Sequence, residues 1–292
     1  MLSTVTQYVH MHSFLLHAVL ALTAAHATHQ SGRARDFSAT AYYHTQQALR
    51  LYGERLQQVK ARAEMDAMLA ECFMLTTLFY LYADDLNSTE SWIFCSPDST
   101  RKPNWATILS GPTLLLQSTD FKISVHESSW LPFTRESQEL ISQVMIRRGP
   151  GDRLVTLLRD IISENQGNKI NVGDSPYFSA FNTLAPILRS RFDARIVMIE
   201  PCVDAADFVS LMAFPSRLGL MFIDRLSRRD NVALLLVGFW FVPLAKLYHC
   251  RWWCLQRALV EGKAIYLYLS TVQYQERKFT EAVSILARAI PS

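Results

Sequence analysis

Apolar residues recur at three- and four-residue spacing along most of this chain, with polar residues between them. That is the period of an α-helix with one buried face. It predicts helices over 4–29, 36–61 and 63–85, then over 135–147, 152–165, 174–197, 201–213, 215–227, 230–248, 250–272 and 275–289. A shorter helix is expected over 105–116, interrupted by Gly111-Pro112. Segment 36–61 shows its polar face in Gln46, Gln47, Arg50, Glu54, Gln57 and Lys60. Two stretches break the pattern. Segment 68–83 has Glu71 as its sole charged residue, and 232–245 has none. A helix apolar all round belongs in a core, and 232–245 falls short of the ~20 residues that cross a bilayer. No long strand-like alternation and no internal repeat appears. The expected fold class is all-α: a single multi-helix domain over 1–292 enclosing an apolar pocket.

Composition supports this pattern. Half of the 292 residues are hydrophobic, enough for a sizeable core, and glycine (10) and proline (11) are scarce. A net charge of +3 gives no basic field for nucleic acid. Cys72, Cys95, Cys202, Cys250 and Cys254 are odd in number and scattered, as expected of reduced thiols. The apolar stretch near the start is interrupted by His17 and His26 and has no Lys or Arg before it, unlike a signal peptide. A cytoplasmic protein with no membrane span is expected, and its broad apolar helices suit a homodimer.

The candidate chemistry begins where the apolar segment 68–83 ends. Asp84, Asp85, Asn87, Ser88 and Glu90 follow within a few residues. Carboxylate, carboxamide and hydroxyl oxygens are ligands for a hard cation such as Mg²⁺. Asp84, Asn87 and Ser88 fall on one face if the helix continues. An ordinary solvated helix end has the same composition. Further along, Gln256, Leu259, Lys263 and Tyr266 share one face of the 250–272 helix. That face offers a polar end and an apolar wall. Arg225, Arg228 and Arg229 form a basic patch between two helices, and Arg228 is a candidate contact for diphosphate oxygens. Phe73, Phe79, Tyr80 and Tyr82 precede the carboxylate cluster, and Phe239, Trp240 and Phe241 precede the lysine helix. Aromatic faces stabilise cations, although each ring alone reads as core packing. Asp204 and Asp207 are reserve metal ligands. His10, His12, His17, His26 and His29 crowd the first helix without a nearby carboxylate. No nucleophile elbow, phosphate loop or dinucleotide fingerprint is present.

Several blocks together resemble a known family. They are 13–26, 92–94 and 104–105, then Phe214-Pro215, 233–240, and Trp252-Trp253 leading into the helix to Leu269. In this order they resemble the C-terminal regulatory domain of fungal zinc-cluster transcription factors of the sterol-sensing type. The resemblance spans nearly the whole chain. It implies an all-α fold with an apolar ligand pocket and a non-enzymatic role in sensing a sterol or another lipid. Those regulators carry a zinc-cluster module of six closely spaced cysteines. This chain shows no such cluster, so no nucleic-acid partner is expected of it.

A narrower stretch, Leu259-Val-Glu-Gly-Lys263, resembles the non-canonical fungal humulene synthases of tropolone sesquiterpenoid pathways. That resemblance implies a Mg²⁺-dependent sesquiterpene cyclase with two metal ions and farnesyl diphosphate as substrate. It would make Lys263 the catalytic, diphosphate-binding lysine and Leu259 the residue that steers product geometry. The metal ligands at 84–90 are read from this sequence alone. They resemble the aspartate-rich motif of class I cyclases, except that Asn87 and Ser88 stand where that motif continues to a third Asp. The implied reaction is ionisation of the diphosphate, closure of an eleven-membered ring and loss of a proton to give humulene. Metal ions and a lysine would neutralise the departing charge. The cyclase is the leading expectation, and the lipid-sensing regulatory domain is the alternative.

Overall fold

The computed structural model describes residues 2–31, 38–56, 62–81, 91, 93–94, 115, 131–145, 151–165, 175–191, 205–246, 252–272 and 276–290. The fold is all-α. Its helices are α1 (Leu2–Met11), α2 (Ser13–Ser31), α3 (Ser38–Leu56), α4 (Arg62–Leu81), α5 (Leu131–Met145), α6 (Asp152–Asn165), α7 (Phe178–Arg191), α8 (Ala205–Ala213), α9 (Leu220–Ser227), α10 (Asn231–Lys246), α11 (Trp252–Thr271) and α12 (Arg277–Ala289). No helix among the described residues is long and apolar enough to cross a membrane.

Two predicted helices are divided. The segment expected as 4–29 becomes α1 and α2, with His12 between them. The backbone ladder still runs through the join, since His12 N–H donates to Tyr8 O (2.9 Å) and Leu16 N–H donates to His12 O (3.1 Å). The segment expected as 215–227 becomes a 3₁₀ turn, Pro215–Arg217, followed by α9. Gly219 separates them in an extended conformation and caps α9. The expected helix at 105–116 lies outside the described residues apart from Leu115.

The chain forms two compact units, residues 1–82 with 111–135, and residues 83–110 with 136–292. In the first, α2 packs on α3 and α4. The inward face of α2 is Phe14, Leu15, Ala18, Ala21 and Ala24, at three- and four-residue spacing. Its alanines allow close helix approach. Opposite them, α4 buries Met65, Ala67, Met68, Leu69, Ala70, Leu75 and Leu78. This is the apolar segment the sequence marks out, and it carries Glu71 into the interior at 0% exposure.

The second unit is built on α10, which buries every residue from Val232 to Ala245. Trp240 stacks on Phe214 (centroids 5.2 Å apart) and donates its indole N–H to Leu211 O at 2.9 Å. That bond gives a buried polar edge its partner. Gly238 admits the neighbouring helices: a Cβ there would lie 2.9 Å from Leu286 Cδ2 and 3.1 Å from Ile265 Cγ2. Gly151 is tighter, since a Cβ would sit 2.7 Å from the backbone carbon of Leu188. Its own N–H donates to Arg189 O at 3.0 Å, joining the start of α6 to the end of α7.

Candidate functional site

Helix α11 has two chemically different faces. Gln256, Leu259, Lys263 and Tyr266 do share one stripe; Gln256 and Lys263 are exposed, Leu259 and Tyr266 half-buried. The opposite face carries Arg257 (2% exposed) and Glu261 (0% exposed) into the core. These two are an i, i+4 ion pair, with Arg257 Nη1 3.3 Å from Glu261 Oε1. The other oxygen, Oε2, accepts a 2.6 Å hydrogen bond from Ser91 Oγ and a longer one, 3.5 Å, from Ile93 N–H. A buried carboxylate keeps its charge only when paired and hydrogen-bonded. Here the guanidinium and the Ser91 hydroxyl do both.

Phe94 continues the anchorage. Its ring lies 4.9 Å from that of Tyr268 on α11. The Arg229 guanidinium sits over the Phe94 ring, 5.7 Å from the centroid, and donates from Nη2 to Phe94 O at 3.3 Å. Arg229 has φ +58°, a left-handed turn at the end of α9 that a non-glycine residue seldom adopts. Arg228, the expected diphosphate contact, is exposed and pairs with Asp224 at 3.2 Å. Asp230 organises the next helix start. Its Oδ1 accepts from the N–H groups of Val232 (3.1 Å) and Ala233 (3.0 Å), capping α10. Its Oδ2 accepts from the Tyr177 hydroxyl at 2.8 Å. Burial, and then the bond to Asp230, hold the Tyr177 phenol above its usual range.

The first unit has three polar features in apolar surroundings. A cleft of about 290 Å³ opens at the α1–α2 junction against the last turns of α3, lined by Met11, His12, Ser13, Phe14, Leu51, Glu54 and Arg55. The His12 ring lies 6.2 Å from that of Tyr8 and 5.3 Å from that of Phe14, and its Nε2 has no hydrogen-bond partner. Burial lowers its pKa, so it is neutral at neutral pH. His17 on α2 meets His44 on α3 with their Nδ1 atoms 2.7 Å apart, one ring donating to the other. Burial, then His44 and Arg50, lower the pKa of His17. Neither oxygen of Glu71 has a hydrogen-bond partner. Burial pushes its carboxyl up to about 9, so it is neutral at neutral pH. Beside it the Cys72 thiol is pushed up to about 12, chiefly by burial.

The profile of the fungal specific transcription factor domain matches residues 1–178, well over half of the chain. The chain belongs to this family. No curated protein and no solved structure matches it.

Within this fungal transcription-factor domain, the expected metal ligands Asp84, Asp85, Asn87, Ser88 and Glu90 lie outside the described residues, as do Tyr82 and Asp204. Asp207, the other reserve ligand, is fully buried on α8. Among the described residues, no three His, Cys, Asp or Glu side chains converge as metal ligands would. Phe239, Trp240 and Phe241 are core residues. His10, His26 and His29 are exposed, and the pairing of His17 with His44 was not foreseen. Arg257 and Glu261 were also missed, though a signal existed: two opposite charges four residues apart in an otherwise apolar stretch. The cleft at His12 leaves no comparable mark, because it joins residues from two distant segments.

Proposed function

We propose that this domain is a non-catalytic regulatory module of a fungal transcription factor, one that binds an effector and changes the activity of a DNA-binding partner. The family match over 1–178 carries this reading. The α11 stripe agrees with it: Gln256 and Lys263 face outward, where a lysine stem covers apolar surface while its ammonium stays in water. The resemblance to sterol-sensing regulators makes a lipid the expected effector of the apolar interior. Such a module would act where its DNA-binding partner acts, in the nucleus, and not specifically in the cytoplasm.

A second reading, the Mg²⁺-dependent cyclase, turns on one observation. Ser91, which directly follows the 84–90 cluster, is tied by a 2.6 Å bond to Glu261, two residues from Lys263 on the same helix. Two residues on a helix differ by about 200° in direction, so this anchor grips the face opposite Lys263 and counts against that reading. Should the carboxylates hold Mg²⁺, their role would be to grip the diphosphate of farnesyl diphosphate, with Lys263 and Arg228 as further cations.

Tethering distinguishes the two readings. Residues 1–292 fused to an unrelated DNA-binding module are expected to change reporter transcription severalfold over the module alone. The purified chain with farnesyl diphosphate and Mg²⁺ is expected to give no cyclic C15 hydrocarbon by gas chromatography–mass spectrometry. An inert fusion together with an EDTA-sensitive hydrocarbon product would reverse the order of the two readings.

A further inference from the structure

The cleft at the α1–α2 junction is chemically specific in a way the helical core is not. Its apolar wall is Met11, Phe14 and Leu51. Glu54 and Arg55 bring a carboxylate and a guanidinium to its rim, adjacent in sequence. Each is already balanced: Glu54 by Arg50 at 2.9 Å, Arg55 by Glu64 at 2.7 Å. The formal charge around the opening is therefore zero, yet the charges are separated. A ligand of net charge would gain from one rim group and be repelled by the other. A dipolar ligand gains from both. A guanidinium carries five N–H donors, so Arg55 can hold Glu64 and a ligand carboxylate together. Ser13 and His12 supply further polar atoms beside the apolar wall. About 290 Å³ is at the small end of ligand pockets, too little for a sterol but suited to a small molecule.

We infer that this cleft is a binding site for a small zwitterion with an apolar side chain, namely a free α-amino acid. Its carboxylate meets Arg55, its ammonium meets Glu54, and its side chain lies against Met11, Phe14 and Leu51. The site stands on the cleft itself and does not depend on the regulatory reading.

The test is isothermal titration calorimetry of the full chain with L-phenylalanine, L-leucine and L-tryptophan, and with two analogues that each lack one charge, phenethylamine and 3-phenylpropionate. At least one amino acid is expected to bind at one site per chain. The analogues of L-phenylalanine are expected to bind at least tenfold more weakly than L-phenylalanine itself if that is the ligand. Glu54→Gln and Arg55→Gln should each weaken the amino acid at least tenfold. Both side chains are substantially exposed, 58% for Glu54 and 41% for Arg55, so both variants should keep the wild-type circular dichroism and melting. Leu51→Ala gives a third arm through the apolar wall, with weakening greatest for the largest side chain. No binding of any of the three amino acids at millimolar concentration overturns the inference. So does binding that both rim variants leave unchanged. Because binding is read on the protein alone, it can succeed where the transcriptional reading fails, and fail where that reading holds.

Discussion

Glu71 shows what a single buried group does to this fold. Its carboxyl lies in the core of the first unit without a hydrogen-bond partner, and its pKa rises from 4.5 to about 9. Between these values the unfolded chain has released the proton while the folded chain keeps it. The folded state then binds more protons, so stability falls as pH rises across this window and is fullest below it. Glu71→Gln should flatten the decline of melting temperature between pH 5 and pH 9. Glu71→Leu should in addition stabilise the unit by about 1–3 kcal/mol, the cost of an unsatisfied buried polar group. A wild-type melting profile no steeper than that of Glu71→Gln would show that the carboxyl is solvated. The sequence names Glu71 as the one charge in its segment, but not its state. That depends on what surrounds it, and periodicity alone does not give the surroundings. Ser91 and Glu261 make the same point with opposite sign. Glu261→Gln removes one partner of a buried pair and is expected to cost about 3–5 kcal/mol. Ser91→Ala should cost about 1 kcal/mol. In a double-mutant cycle by urea denaturation the two should be coupled, and strict additivity would remove the claim that Ser91 is held by Glu261.

At the scale of elements, most of the fold was legible. The uncharged segment at 232–245 became the fully buried body of α10, and the pattern at 152–165 became α6 with the same bounds. The joins were less legible, because they depend on caps and close approaches. His12 divides a continuous apolar pattern without breaking its hydrogen-bond ladder, and Gly219 starts α9 later than Pro215 suggests. Asp230 is a further such point, joining the α10 N-terminus to Tyr177 through its two oxygens. Asp230→Ala should destabilise by about 1–2 kcal/mol, at the upper end for a cap because the phenol also loses its acceptor. Gly151→Ala should be worse than its propensity suggests, since the added carbon meets the Leu188 backbone and not a movable side chain. Thermal melting of both variants checks the order: a Gly151→Ala protein as stable as wild type would mean that the junction of α6 and α7 yields. By contrast, the exposed pairs of Lys278 with Asp160 and Glu164 should matter little when removed.

For the whole molecule, the fold class and the family were within reach of the sequence, and the choice between enzyme and regulator was not. The same helical blocks are compatible with a sensing role and with a catalytic one. The residues that separate the two are few: the oxygen-rich stretch 84–90 and the stripe containing Lys263. On α11 Gln256 and Lys263 of that stripe are exposed, while the sequestered charges are Arg257 and Glu261. The central proposal is that this domain regulates transcription. Its most direct test is transcription from a reporter to which residues 1–292 are tethered through an unrelated DNA-binding module. The account predicts a severalfold change from the module alone at equal protein level. Transcription indistinguishable from that of the module alone would contradict it.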